Sequence, residues 1–211
     1  MKLTKFEHSC LVIELEKSKL VIDPGSFTIP LVDYTGIVAV VITHEHADHW
    51  TPEHLERILR DSPNARLFAP EGVATAAADF AVTVVHDGDV VVAEPFTLAF
   101  YGGQHAVIHS SIPVIDNLGV MINDTVFYPG DSFTVPPVPV DVLATPVGAP
   151  WLKISEVMDY VTAVAPKRSF PVHEMVLSVA GKAMGNDRIG AMTTAAGGTP
   201  FVLEPGESID L

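Results

Sequence analysis

Short apolar runs alternate with turn-forming residues along this chain, and the spacing within each run separates strands from helices. Residues 3–6, 11–15 and 20–22 read as consecutive strands, closed by the turn Asp23-Pro24-Gly25. Residues 37–42 are wholly apolar and mostly β-branched, as in a strand buried on both faces. Thr51-Pro52 reads as an N-cap followed by proline at the first helical position, opening a helix to about Arg60. A strand over 66–69 and a short alanine-rich helix over 72–79 follow. Strands over 82–85, 90–92 and 97–101 come next, with a turn at Asp87-Gly88-Asp89. Residues 118–122 and 126–128 flank Asn123-Asp124-Thr125, a hairpin signal. A buried strand covers 140–144. Val157, Met158, Val161 and Val164 fall at helical spacing, so a helix runs from Ser155 and ends before Pro166. A strand over 169–172 leads into His173, and the tail reads as a helix over 187–196 and a strand over 200–203.

In both halves strand groups are followed by helices. That order predicts an α+β architecture with sheet packed on sheet and helices outside, a four-layer αβ/βα (αββα) sandwich. The 17 prolines and 15 glycines sit at element ends, with no repeat, linker or low-complexity tract. One domain over 1–211 is the expectation.

Composition narrows the function classes. An apolar fraction of 48% suits a folded chain, and no apolar run approaches the roughly 18 to 20 residues of a membrane span. The first fifteen residues carry Lys2, Lys5, Glu7 and Glu14 among alternating apolar positions, which reads as a strand and not as an export signal. The one cysteine, Cys10, rules out an intrachain disulfide and reads as a small buried hydrophobe. These features predict a cytoplasmic protein without a membrane partner. The net charge of −14, with no basic cluster, argues against nucleic acid and leaves a small molecule as the expected partner. A bound pair of divalent cations would reverse that field locally.

Candidate chemistry concentrates in Thr43-His44-Glu45-His46-Ala47-Asp48-His49, directly after the buried strand. Three imidazoles and a carboxylate within six residues on one loop can wrap a metal pair. A merely solvated polar turn would not need this spacing. The motif resembles the HxHxDH signature of the metallo-β-lactamase superfamily, and further residues match that family's order. His105 follows Gly102-Gly103, Asp131 lies in Phe127-Tyr128-Pro129-Gly130-Asp131-Ser132, and His173 lies in Phe170-Pro171-Val172-His173-Glu174. The resemblance spans nearly the whole chain and implies the metallo-β-lactamase fold.

It also implies a division of labour. His44, His46 and His105 would hold one metal; Asp48, His49 and His173 a second; Asp131 would bridge them. Two divalent cations, expected to be zinc with manganese or iron as alternatives, can share one hydroxide when roughly 3.5 to 4 Å apart. Asp48 is also placed to handle a proton, and is the expected catalytic residue. Either His105 or His109 can serve as the third histidine; His105 is preferred because it follows the glycine pair. His109 otherwise reads as a substrate-side or solvated loop residue. His8 resembles a histidine near the metals in the ascorbate-6-phosphate lactonase-like branch, or is a hydrogen-bonded core residue. Asp23 reads as an orienter of ligand imidazoles or as a turn former. His54 and His86 read as surface residues. Trp151 either walls a pocket or packs under a helix, and Lys153 either pairs with an anionic substrate or is solvated.

The stretch Pro146–Lys153 resembles the same small lactonase-like branch. True β-lactamases are typically exported, glyoxalase-type thioesterases add a helical domain, and ribonuclease-type members carry nucleic-acid-binding insertions, none of which is seen here. His46 departs from the Glu of oxygen-reducing di-iron members. Two function classes stay open: a hydrolase of a small lactone, ester or phosphate ester, with thioesters and β-lactams as further bond types, and a metal-binding protein without turnover. The full ligand set favours the hydrolase, because structural zinc is usually closed by four ligands.

Overall fold

The computed structural model describes residues 1–211 and contains two seven-stranded mixed sheets. The first half supplies β1 (Lys2–Lys5), β2 (Leu11–Leu15), β3 (Ser18–Ile22), β4 (Ile37–Val41), β5 (Arg66–Ala69) and β6 (Val82–Val84). The second supplies β7 (Val90–Ala93), β8 (Phe96–Gln104), β9 (Asp116–Ile122), β10 (Val126–Tyr128), β11 (Val142–Pro146), β12 (Arg168–Val172) and the two-residue β13 (Thr199–Pro200). A last strand, β14 (Ser208–Asp210), returns to the first sheet and pairs with β1, Lys2 opposite Asp210. The orders are β14-β1-β2-β3-β4-β5-β6 and β13-β12-β11-β10-β9-β8-β7.

Period-two alternation explains the layers. In β2, Leu11 and Ile13 face the other sheet while Val12 faces outward; in β4, Ala39 and Val41 point in and Val40 points out. The inner residues meet Phe96, Leu98 and Phe100 of β8, Leu118, Val120 and Ile122 of β9, and Phe170 and Val172 of β12. The outer face of the first sheet is covered by α1 (Pro52–Asp61) and α2 (Glu71–Ala76), through Leu55, Ile58 and Val73. The outer face of the second is covered by α3 (Ile154–Val164) and α4 (Val179–Ala195), through Val157, Tyr160, Val161 and Ile189. The predicted αβ/βα sandwich is the fold. No helix is long and apolar enough to cross a membrane.

Strand direction gathers the loops that matter. β1 and β3 are both antiparallel to β2, and β3 is parallel to β4, so the C-terminal ends of β1, β3 and β4 share one edge. By the same reasoning β8, β10, β11 and β12 end together in the second sheet. Hydrogen bonds from Leu118 N–H to Thr43 O (3.0 Å) and from His173 N–H to His8 O (2.8 Å) join the two edges.

Three sequence expectations need correction. α4 begins at Val179, capped by the Ser178 hydroxyl accepting from Gly181 N–H, and not near residue 187. The expected strand over 200–203 shrinks to β13, and β14 was not anticipated. His54 is no surface residue. It is 5% exposed on α1, with Nε2 3.1 Å from Thr28 O. His54→Ala is therefore expected to cost about 1–2 kcal/mol, a loss that thermal unfolding would detect.

Candidate metal centre

The loop after β4 is tied down at its first residue. Asp23, fully buried at the end of β3, accepts from Thr43 N–H (2.8 Å) and Thr43 Oγ1–H (2.6 Å) through its two oxygens. It accepts a third bond from His49 Nδ1–H (2.6 Å). Asp23 thus contacts the His49 ring and also turns the chain, at φ 46°. Gly25 allows the next turn to lie against this loop: a Cβ there would fall 1.8 Å from the Asp48 carbonyl oxygen.

Nitrogen geometry fixes which ring atoms face inward. His105 donates from Nδ1 to Ala106 O (2.6 Å) and His173 from Nδ1 to Gly148 O (2.6 Å), while His49 donates from Nδ1 to Asp23. Each ring therefore turns an Nε2 lone pair toward the centre. All three Nε2 atoms are buried without a hydrogen-bond partner, as is Asp131 Oδ1. They lie around the Asp131 carboxylate, 3.3 Å for His49, 3.1 Å for His173 and 3.5 Å for His105. Lone pairs facing a buried carboxylate repel it unless positive charge sits between them.

Potential ligand atoms fall into three sets, each within 4.8 Å. One joins His44, His46 and His105; another joins His8, Asp48, His49 and His173; the third, His44, His49 and Asp131, links the first two. The donor set of imidazoles and carboxylates, with unpartnered buried nitrogens, fits divalent cations.

Without a cation, protons on these rings meet the same need for positive charge. Burial opposes charge on His49 and His173, yet Asp131, with Asp23 beside His49, holds both imidazoles above the ordinary histidine value. Burial likewise opposes ionisation of Asp131, but His49 and His173 keep its carboxyl well below the usual range. Asp48 behaves in the same way, burial being outweighed by the hydrogen bond from His8 and by His49 and His173. His44 is pushed well down by burial and by the neighbouring His49, and burial takes His8 down to about 4.

His8 has a defined tautomer. Met175 N–H donates to its Nδ1 (3.3 Å), so Nε2 carries the proton and donates to Asp48 Oδ2 (3.2 Å). His8, Asp23 and His173 all sit at positive φ, 62°, 46° and 63°. Side chains rarely adopt that region, and its cost concentrates where the surroundings hold a functional geometry.

The other candidates separate clearly. His105 joins the cluster, whereas His109 is exposed and bonded to Ser111, 2.8 Å from its hydroxyl. Trp151 is buried, and its indole N–H donates to Asp131 Oδ2 (2.9 Å). Lys153 is 78% exposed and sits 3.5 Å from Glu156, the solvated alternative. Sequence reasoning missed two supports. Asn117 holds the Asp131 turn, donating to Pro129 O and accepting from Asp131 N–H, both at 2.9 Å. Lys5 and Glu174, the latter next to His173 in sequence, form a buried ion pair. Period-two alternation did carry a signal for Lys5, which shares the inward face of β1 with Leu3.

Comparison with known proteins agrees with this architecture. The chain is 41% identical over 214 residues to Protein Rv0786c of Mycobacterium tuberculosis, covering 99% of this chain and 98% of that one. It is 26% identical over 194 residues to UPF0173 metal-dependent hydrolase NEQ378 of Nanoarchaeum equitans, covering 82% and 83%. Among solved structures, Igni18, a metallo hydrolase from Ignicoccus hospitalis, superposes with a TM-score of 0.76 at 21% identity, over 99% of this chain and 97% of that one. A family model described as the beta-lactamase superfamily domain matches residues 2–173, a span that holds every residue of the cluster, and the chain belongs to that superfamily.

Proposed function

We propose that this protein is a dinuclear metal-dependent hydrolase acting on a small-molecule lactone, ester or phosphate ester. The observation that carries the reading is the pair of ligand sets joined through Asp131, with three buried Nε2 atoms aimed at it and no hydrogen-bond partner. The Nanoarchaeum equitans relative is likewise named a metal-dependent hydrolase.

In this reading His44, His46 and His105 would hold one cation and Asp48, His49 and His173 the other, with the Asp131 carboxylate available to both. Five imidazoles favour zinc, with manganese or iron as alternatives. Bound divalent cations would supply Lewis acidity toward a carbonyl or phosphoryl oxygen and would bring the pKa of water toward neutrality. The protein's own groups do the rest. Asp23, Ala106 O and Gly148 O orient His49, His105 and His173, and Trp151 fixes the Asp131 carboxylate. Asp48, whose side chain is 27% exposed, is the carboxylate that meets solvent, and His8 holds it in line to accept or return a proton. A cytoplasmic setting goes with the single buried cysteine.

Protein reconstituted with zinc or manganese is expected to retain close to two ions per chain by elemental analysis. Retention falls as pH is lowered, because a protonated imidazole cannot ligate. A stoichiometry that stays at zero after reconstitution removes the proposal. A hydrolysis screen over lactones, carboxylic esters, phosphodiesters, thioesters and β-lactams then identifies the bond.

A further inference from the structure

A cleft of about 450 Å³ opens over Trp151 and the residues that follow His105, a size suited to small ligands. Its walls are Val107, Ile108, Phe133, Trp151 and Leu152. Trp151 connects it to the cluster: the ring stands 5.9 Å from His105 and 5.2 Å from Phe133, and its N–H holds Asp131. Val107, two residues beyond His105, is 64% exposed at this wall. The charged residues of the lining, Lys153 and Glu156, lie 3.5 Å apart and offset one another. The cleft lining itself therefore carries no net charge with which to select an anionic arm.

We infer that the substrate is a neutral carboxylic ester or lactone with a hydrophobic arm, the arm lying in this cleft and the carbonyl turned toward the centre. This rests on the hydrolase reading above and narrows its substrate class. Water adds to the carbonyl carbon, the bond from that carbon to the alcohol oxygen breaks, and a proton from water ends on the departing oxygen. The products are a carboxylic acid and an alcohol, which are one molecule when the substrate is a lactone. The apolar walls select by burial, so recognition grows with chain length.

The test uses the metal-loaded protein and p-nitrophenyl acetate, butyrate, hexanoate and octanoate, with bis(p-nitrophenyl) phosphate alongside. kcat/KM is expected to rise about fourfold for each methylene that becomes fully buried. Val107→Asp and Leu152→Asp should each lower the octanoate-to-acetate ratio at least tenfold, roughly the loss of two buried methylenes. Val32→Asp, at a fully exposed apolar position outside the cleft, should leave that ratio alone. Calorimetry gives a readout independent of turnover: 1-octanol should bind wild type with a negative heat-capacity change and lose affinity in Val107→Asp. A flat chain-length profile, a preference for the phosphodiester, or no octanol binding overturns the inference while the hydrolase reading stands. No turnover of any ester, lactone or phosphodiester by protein shown to hold metal overturns both.

Discussion

Asp131→Asn is expected to lower kcat/KM on a validated substrate by on the order of 10³-fold, equivalent to several kcal/mol of lost charge stabilisation. Its Oδ1 faces His49 Nε2 and its Oδ2 faces His173 and His105, all within 3.5 Å, inside a pocket that leaves the residue 3% exposed. The amide has nearly the same shape, so packing and the bond from Trp151 can survive. What disappears is the negative charge between the proposed cations, and one acceptor edge becomes a donor. Metal content should fall below two per chain in the same variant. Wild-type rates with full metal content would show that Asp131 is not the link between the two ligand sets.

The second large effect is expected at Asp23. Its two oxygens accept three hydrogen bonds in a site with no solvent exposure. In Asp23→Asn either orientation of the amide turns an NH₂ group toward at least one N–H or O–H that now has no acceptor. Unsatisfied buried donors together with the lost charge should cost about 3 kcal/mol, a fall in Tm of roughly 6–12 °C for a chain of this size. His49 loses its orienting partner, and metal affinity should drop about 10- to 100-fold. Asn tolerates the positive φ of this turn, so the variant separates the two roles. A large loss of metal affinity marks Asp23 as an orienter of His49; unchanged metal affinity and Tm would leave it only a turn former.

The centre could be read from the chain where its chemistry is local. His44, His46, Asp48 and His49 lie within six residues behind a strand that is apolar on both faces, and both facts survive without any tertiary knowledge. His105 and His109 could not be told apart by spacing alone. The choice depends on β8 extending to Gln104, which delivers His105 into the cluster and leaves His109 on the following loop. α4 was missed over its first turns because Gly181 and Gly185 lower helix propensity there. Packing overrides that preference: a Cβ on Gly185 would come 2.2 Å from Val147 Cγ2, so the glycine lets the helix settle close. His54 sits among Glu53, Glu56 and Arg57, which suggests a solvated face; its partner, Thr28 O, lies 26 residues away in a loop. β13 and β14 are two and three residues long, too short to show an alternation.

The return of β14 to β1 has a consequence for how the molecule comes into being. As the chain leaves the ribosome, β1 to β6 can associate early, but the outer edge of β1 stays unpaired until residues 208–210 arrive. An open strand edge is a template for pairing with other chains. Until then the growing chain presents a strand edge open to such pairing. β14 acts as a seal as well as a sheet member, and its pairing with β1 joins positions more than 200 residues apart, the kind of long-range contact that slows folding.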